Sequence, residues 1–382
     1  MERTNTLKSP RKPHSEALNL LRFPLALVVV LVHVFGASIP GREQFIETSF
    51  LYKETMNFVR AFLASQSVPI YFFISGYVFF WGITLTKEKY KQKLQNRKKT
   101  LLIPYVIWNL LMLALYFLLR MPAFASLSPS LQQMEPNFTL SGFLNCFWDA
   151  NYSVFPLNEH PGSSNIYPIN GPLWFLRDLM IVVLTTPAIY WVLKKTGFYV
   201  LIFLGILKLF VTPYVDWGYC AGQLLTAYFY FSWGAYMSIN NKNMIVEFGR
   251  FTRISTILYI FLGVTHMIAA HYYPAATSTI KSINIIVGLF FAYNFAAWLL
   301  RHHICKSNEF LSSVSFFIYI SHRLVWVILL KVMLMVIKPS SGIAGLMVHF
   351  MTWATTIILL CIAFWLMRRY LPGLLKVVAG RK

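Results

Sequence analysis

Charge is scarce in this chain, and negative charge is scarcer still. Of 382 residues only 12% are Asp, Glu, Lys or Arg, and Asp plus Glu number 13 against 34 Lys plus Arg. With 57% hydrophobic residues and a mean hydropathy of +0.57, this excludes a water-soluble globular domain, in which about a quarter of residues are charged. Cysteine is nearly as sparse. Cys146, Cys220, Cys305 and Cys361 lack the paired spacing of a metal site or a disulfide framework, so neither is expected. No internal repeat and no low-complexity segment is present. A cleavable leader is not expected either, because the basic start runs into an apolar stretch that is too long and lacks a small-residue cleavage site. In a soluble protein the net charge of +21 would suggest nucleic acid. Here the cations lie between apolar runs, so no nucleic-acid partner is expected.

What is abundant is apolar sequence in helix-length blocks. A hydrocarbon layer about 30 Å thick needs roughly 20 apolar residues as helix, and only a structure that satisfies its own backbone groups can cross it. Ten blocks meet that demand approximately: 17–39, 58–85, 100–120, 171–193, 197–213, 219–238, 254–271, 279–300, 310–336 and 343–367. The segments between them alternate in charge. Counting Lys and Arg, the termini and the loops on their side carry 23, and the loops of the opposite side carry 5. The positive-inside rule then predicts an all-α, polytopic membrane protein of about ten transmembrane helices with both termini in the cytoplasm. Its parts are a tail over 1–16, one membrane domain over 17–367, and a basic tail over 368–382.

The one long external segment, 121–170, is rich in Pro, Ser and Asn, and carries Glu135, Asp149 and Glu159. Leu140, Phe143, Leu144, Phe147 and Trp148 share a helical face in it, which predicts an interfacial or re-entrant helix. A packing lid or an acceptor-binding element fits the same pattern.

Ionisable residues at membrane depth are costly and ask for a reason. Arg60, Lys208, Lys331 and His349 lie near helix ends, where snorkelling suffices. Arg22 and His33 do not. Eleven residues apart, they fall within about 20° of each other around a straight helix and about 16 Å apart along it. One face of the first helix therefore carries a cation near the cytoplasm and an imidazole in the outer half. Asp178 lies at a depth matching His33. It either orients the imidazole, since a general base needs its other ring nitrogen held, or neutralises Lys208, Arg60 or Lys331. Ser75 and Gly76 sit near the depth of Arg22, below Pro69, which is expected to kink the second helix. Arg97, Lys98 and Lys99 precede Pro104 at the entry to the third. Together these residues predict a basic, donor-rich cytoplasmic mouth.

Five segments in order carry a family resemblance. LLRFPLALVVVLVHVFG has the Arg-x10-His pattern on helix one. It is followed by VPIYFFISGYVFF (68–80), RKKTLLIPYVIW (97–108), GPLWFLRDL (171–179) and SFFIYISHRLV (315–325). In these the chain resembles acyltransferase family 3, integral membrane enzymes that acylate hydroxyls of cell-surface carbohydrates, over about residues 15–330. The resemblance implies acyl-CoA, most simply acetyl-CoA, as donor substrate with no bound cofactor or metal. A polysaccharide or glycolipid is implied as acceptor, and a bacterial inner membrane as location. Arg22, Arg97 and Lys98 would hold the nucleotide end of the donor, with Ser75 beside them. His33 would act as general base on the acceptor hydroxyl. Trp174 would wall the site or anchor at the interface, and His322 would line the same cavity or make a packing hydrogen bond. Longer members append an extracytoplasmic hydrolase-like domain, for which 368–382 leaves no room. A transporter or flippase for a glycan or acylated precursor is the other reading, since a polar path through ten helices also suits conduction. Against it stands a single interrupted helix, the second.

Overall fold

The structure, a computed structural model, describes residues 12–37, 39, 49–157, 165–211 and 220–380, and all regular structure among them is helical. The principal segments are α1 (Lys12–Phe35), α2 (Ser67–Phe80), α3 (Lys87–Arg120), α4 (Gly171–Leu184), α5 (Tyr199–Phe210), α6 (Leu225–Ile239), α7 (Thr252–Tyr272), α8 (Thr277–Arg301), α9 (Glu309–Ile337) and α10 (Gly342–Tyr370). Among the described residues, six helices are long and apolar enough to cross a membrane: Glu16–Phe35 within α1, then α3, α7, Pro274–Arg301, α9 and α10. A seventh span results if α4 is counted with Thr186–Thr196, to which it is joined at a 64° bend. The protein is a multi-pass membrane protein. Its outward side chains on α7 and α10, such as Phe261 at 62% and Met347 at 60% exposure, form an apolar surface that suits lipid as solvent.

Three proline positions explain where the helices are not regular. Pro69 has no N–H for the carbonyl of Ser65, and the second block is accordingly not one helix. It is a π-helical turn over Phe58–Leu63, a 3-10 turn over Ala64–Gln66, and then α2. The break precedes the proline, which sits in the first turn of α2, where a missing donor is harmless. Pro104 acts likewise on α3. Residues 86–99, read from sequence as a basic loop, are largely a helix, Lys87–Arg97, which runs into Ile103–Arg120 through a π-helical turn over Lys98–Leu102. Pro187 produces the bend after α4. The carbonyl it leaves without a donor, that of Val183, accepts instead from Thr186 Oγ1 at 2.8 Å, and Thr185 Oγ1 donates to Val182 at 3.0 Å. The expectation of a single interrupted helix is thus corrected: α4 is interrupted too.

Packing centres on α1, which touches α2, α8, α9 and α10. The closest approach is between α2 and α6. A Cβ on Gly76 would lie 2.0 Å from the Phe231 carbonyl oxygen, and one on Gly234 would lie 2.0 Å from that of Phe73. Reciprocal glycines let the two backbones meet, as small residues do between membrane helices. Lys93 donates to the Phe79 carbonyl and lies over its ring, so the basic helix at the start of α3 is pinned to the end of α2.

The segment 121–157 packs on the C-terminal half of α3, burying Leu131, Cys146, Val154 and Phe155 against Met112, Tyr116 and Leu119. Its amphipathic stretch is a short helix, Leu140–Asn145. The apolar side chains are outward, Leu140 at 75% and Leu144 at 57% exposure, which fits an interfacial helix better than a buried lid. Glu159 lies outside the described residues.

Candidate active site

At the end of the bundle nearer the chain termini, α1, α2, α3, α4 and α9 enclose a cavity of about 200 Å³. Arg22 and Arg97 both line it, with Ser75, Ser312 and Ser315 as the other polar side chains besides Tyr71 and Tyr319. No carboxylate lines it, and neither guanidinium has an ion-pair partner among the described residues. Two cations facing one another across a half-buried pocket repel, and an anion placed between them removes that cost. The π-helical turn after Arg97 is the local reason its side chain reaches the cavity from a helix that is otherwise continuous. Such turns re-aim one residue without ending the helix.

From this cavity an aromatic wall leads along α1 toward His33. Tyr71 donates to the Arg22 carbonyl at 2.7 Å, and its ring is 6.0 Å from Phe175 and 6.4 Å from Tyr319. Tyr319, whose hydroxyl donates to the Pro172 carbonyl, stands 6.3 Å from the ring of His322. The His322 ring in turn lies 5.3 Å from that of His33, tilted by 33°. His322 is fully buried. Its Nδ1 is 2.8 Å from the Tyr319 carbonyl and 3.1 Å from that of Ile318. Carbonyl oxygens only accept, so Nδ1 carries the proton and Nε2 carries a lone pair. That Nε2 has no hydrogen-bond partner among the described residues. An imidazole held in one tautomer with a buried free lone pair presents a fixed hydrogen-bond acceptor to the site.

Asp178 has a partner that the sequence reading did not name. Its Oδ1 accepts from Arg177 Nε at 2.9 Å, with both side chains buried, so the carboxylate neutralises its own neighbour. Arg177 also donates to the carbonyls of Trp148 at 2.8 Å and Ile166 at 3.0 Å and stacks over the Trp148 ring. The pair therefore straps both ends of the 149–165 stretch onto α4. The Tyr105 hydroxyl adds a bond to the Phe147 carbonyl.

Of the residues expected at the site, Arg22, Ser75 and Arg97 are brought together in the cavity, and His33 meets His322. Lys98 is exposed and outside the cavity lining. Trp174 packs on Phe72 at 6.4 Å, and it is the next residue, Phe175, that lines the cavity. One residue along a helix turns the side chain by about 100°, which is enough to exchange the two. Tyr71, Tyr319, Ser312 and Ser315 were not singled out from sequence. The signal for them is helical spacing: Ser312, Ser315, Tyr319 and His322 follow one another by three or four residues on α9, as do Tyr71 and Ser75 on α2. No group of three metal-ligating side chains occurs among the described residues.

Comparison with known proteins adds a family to this geometry. Residues 15–368 match the family described as "Acyltransferase domain". The succinoglycan biosynthesis protein ExoH of Rhizobium meliloti (strain 1021) is 24% identical over 379 residues, covering 96% of this chain and 92% of that protein. No solved structure matches.

Proposed function

This chain belongs to the acyltransferase domain family, and on that premise we propose that it moves an acyl group, acetyl in the simplest case, from cytosolic acyl-CoA to a hydroxyl of a cell-surface or exported glycan. The carrying observation is the carboxylate-free cavity with two arginines, joined by an aromatic wall to a pair of histidines. The name of the ExoH relative, a polysaccharide biosynthesis protein, supports a carbohydrate acceptor. In this reading the chain crosses a bacterial inner membrane ten times, α4 with its bent continuation as one crossing, with both termini inside. The excess of Lys and Arg on the terminal side supports that orientation.

Arg22 and Arg97 hold the phosphates of the donor at the cytoplasmic mouth, and Ser75 supplies a neutral contact beside them. The pantetheine arm extends along Tyr71, Phe175 and Tyr319, so the thioester arrives near His33. His33 takes the proton of the acceptor hydroxyl as its oxygen attacks the thioester carbonyl. The carbon–sulfur bond then breaks and the thiolate leaves, to be protonated as free CoA. His322, buried and fixed in its tautomer, packs its ring against that of His33 and positions it. Asp178 belongs to the scaffold that holds the external segment over this site.

The test is acyl transfer in membrane vesicles supplied with labelled acetyl-CoA and a glycan acceptor. Wild type should transfer label, His33→Ala should lose transfer while retaining donor binding, and Arg22→Ala should raise the donor KM. Undiminished transfer by His33→Ala would remove His33 as the base. Absence of transfer with any acyl-CoA, together with movement of a glycan precursor across the vesicle membrane, would replace the enzyme reading with transport, for which the interrupted α4 would then be the relevant feature.

A further inference from the structure

A second group of cations lies at the opposite end of the bundle, one turn beyond His33. Arg60 donates to the carbonyl of Gly36 at 3.3 Å, and Gly36 follows His33 by three residues on the same chain segment. Two lysines and a histidine come to that level from three other helices, and the packing contacts fix their register. Phe62 packs on Gly263 of α7, where an added Cβ would lie 2.0 Å from its ring, and its carbonyl accepts from Tyr259. Moving toward the Arg60 end from this contact, α7 presents His266 one turn later. Gln66 packs on Gly288 of α8 and donates to the Asn284 carbonyl at 3.1 Å. Six residues before Gln66 is Arg60, and seven before Gly288 is Lys281, both about 10 Å toward the same end. Lys208, in the π-helical turn Leu207–Val211 that ends α5, packs with α8. Lys281 is close enough to Arg60, Lys208 and His266 to repel each of them.

Snorkelling explains cations that splay outward to water from separate helices. It does not explain Arg60, Lys208 and His266 converging on Lys281. Glu54, six residues before Arg60, is already engaged by His271 Nε2 at 2.9 Å. Like charges gathered at the edge of a low-dielectric interior raise the energy of the fold unless an anion shares the space. The donor phosphates are not that anion, because Arg22 and Arg97 occupy the other end of α1, about three turns from His33.

We propose that Arg60, Lys208, Lys281 and His266 form an anion-binding site for a phosphate or carboxylate carried by the acyl acceptor, placed so that an acceptor hydroxyl reaches His33. The site rests on the acyltransferase reading for its substrate role but not for its binding chemistry, and each is tested separately. Protein in nanodiscs of neutral lipid is presented with a neutral oligosaccharide, the same backbone bearing a uronic acid, and a phosphate-linked glycolipid, and both binding and acyl transfer are measured. Wild type should bind the anionic acceptors at least about tenfold more tightly than the neutral one. Lys281→Gln and Lys208→Gln should abolish that preference and raise the acceptor KM, with the donor KM unchanged. Lys281→Arg should keep the preference, and Lys331→Gln, which removes a cation elsewhere in the outer half of α9, should leave it intact. Whichever acceptor shows the effect identifies the source of the anion. A preference unmoved by the lysine variants, or a change confined to the donor KM, overturns the proposal. An effect that follows the phosphatidylglycerol content of the nanodisc instead of the acceptor assigns the site to lipid headgroups and also overturns it. If wild type transfers no acyl group at all, the enzyme reading fails, while the direct binding measurement still decides the anion site.

Discussion

Asp178→Asn separates a structural from a catalytic carboxylate. At 2.9 Å the attraction between Arg177 and Asp178 is about 6 kcal/mol at an effective dielectric constant of 20. Much of that is offset by the desolvation of two buried ions. Removing only the carboxylate charge leaves the Arg177 guanidinium buried and uncompensated, with an expected loss of about 3–5 kcal/mol of stability. Replacing both as Arg177→Met with Asp178→Asn removes the desolvation cost together with the attraction. The double variant should therefore recover about 1–3 kcal/mol relative to the sum of the singles, the remainder reflecting the lost straps to Trp148 and Ile166. The assay is unfolding in mixed micelles by titration with a denaturing detergent, followed by Trp fluorescence, for wild type, both singles and the double. Acyl transfer is measured on the folded fraction of each. Transfer per folded molecule should fall less than about tenfold, since the proposed role of Asp178 is to hold the scaffold and not to act on the reacting atoms. An Asp178→Asn variant of unchanged stability and abolished transfer would refute this and restore the carboxylate to the catalytic group.

Other substitutions probe the packing and the orientation. Gly76→Leu should prevent α2 from closing on α6, because even its Cβ meets the Phe231 carbonyl at 2.0 Å. A loss of at least about 1–3 kcal/mol is expected, visible as a reduced yield of monodisperse protein. Tyr319→Phe, which removes the hydrogen bond to Pro172, should cost about 1 kcal/mol of stability and shift the wall between the arginine cavity and His322, read as a lower kcat at unchanged donor affinity. His322→Ala should slow transfer and alter its pH profile while leaving acyl-CoA binding intact, and an unaltered profile would remove His322 as a group that positions His33. Cys305, half-buried between α8 and α9, should react with a membrane-impermeant maleimide in inside-out vesicles and not in right-side-out ones. The reverse pattern would invert the proposed orientation.

Composition and the length of the apolar runs alone determine that this chain is a helical membrane protein, because a run of about 20 apolar residues crosses lipid as a helix, which satisfies its own backbone hydrogen bonds. The eleven-residue interval between Arg22 and His33 likewise determines that they share a face of α1, since that follows from the pitch of one helix. Interruptions are legible in part: Pro69 and Pro187 mark where a carbonyl loses its donor. Whether the chain bends there, as after α4, or slips into π and 3-10 turns ahead of α2, depends on which neighbours take up the freed carbonyl. Contacts between helices were not legible. Matching depths put Asp178 level with His33, but depth constrains one coordinate of three. The tertiary structure pairs Asp178 with Arg177 and brings His322 to His33 from a helix nearly 290 residues away. The same limit hid the choice of Phe175 over Trp174 and the gathering of Arg60, Lys208, Lys281 and His266, which in sequence are isolated basic residues on four separate segments. Each helix determines its own faces, but only their packing decides which faces meet.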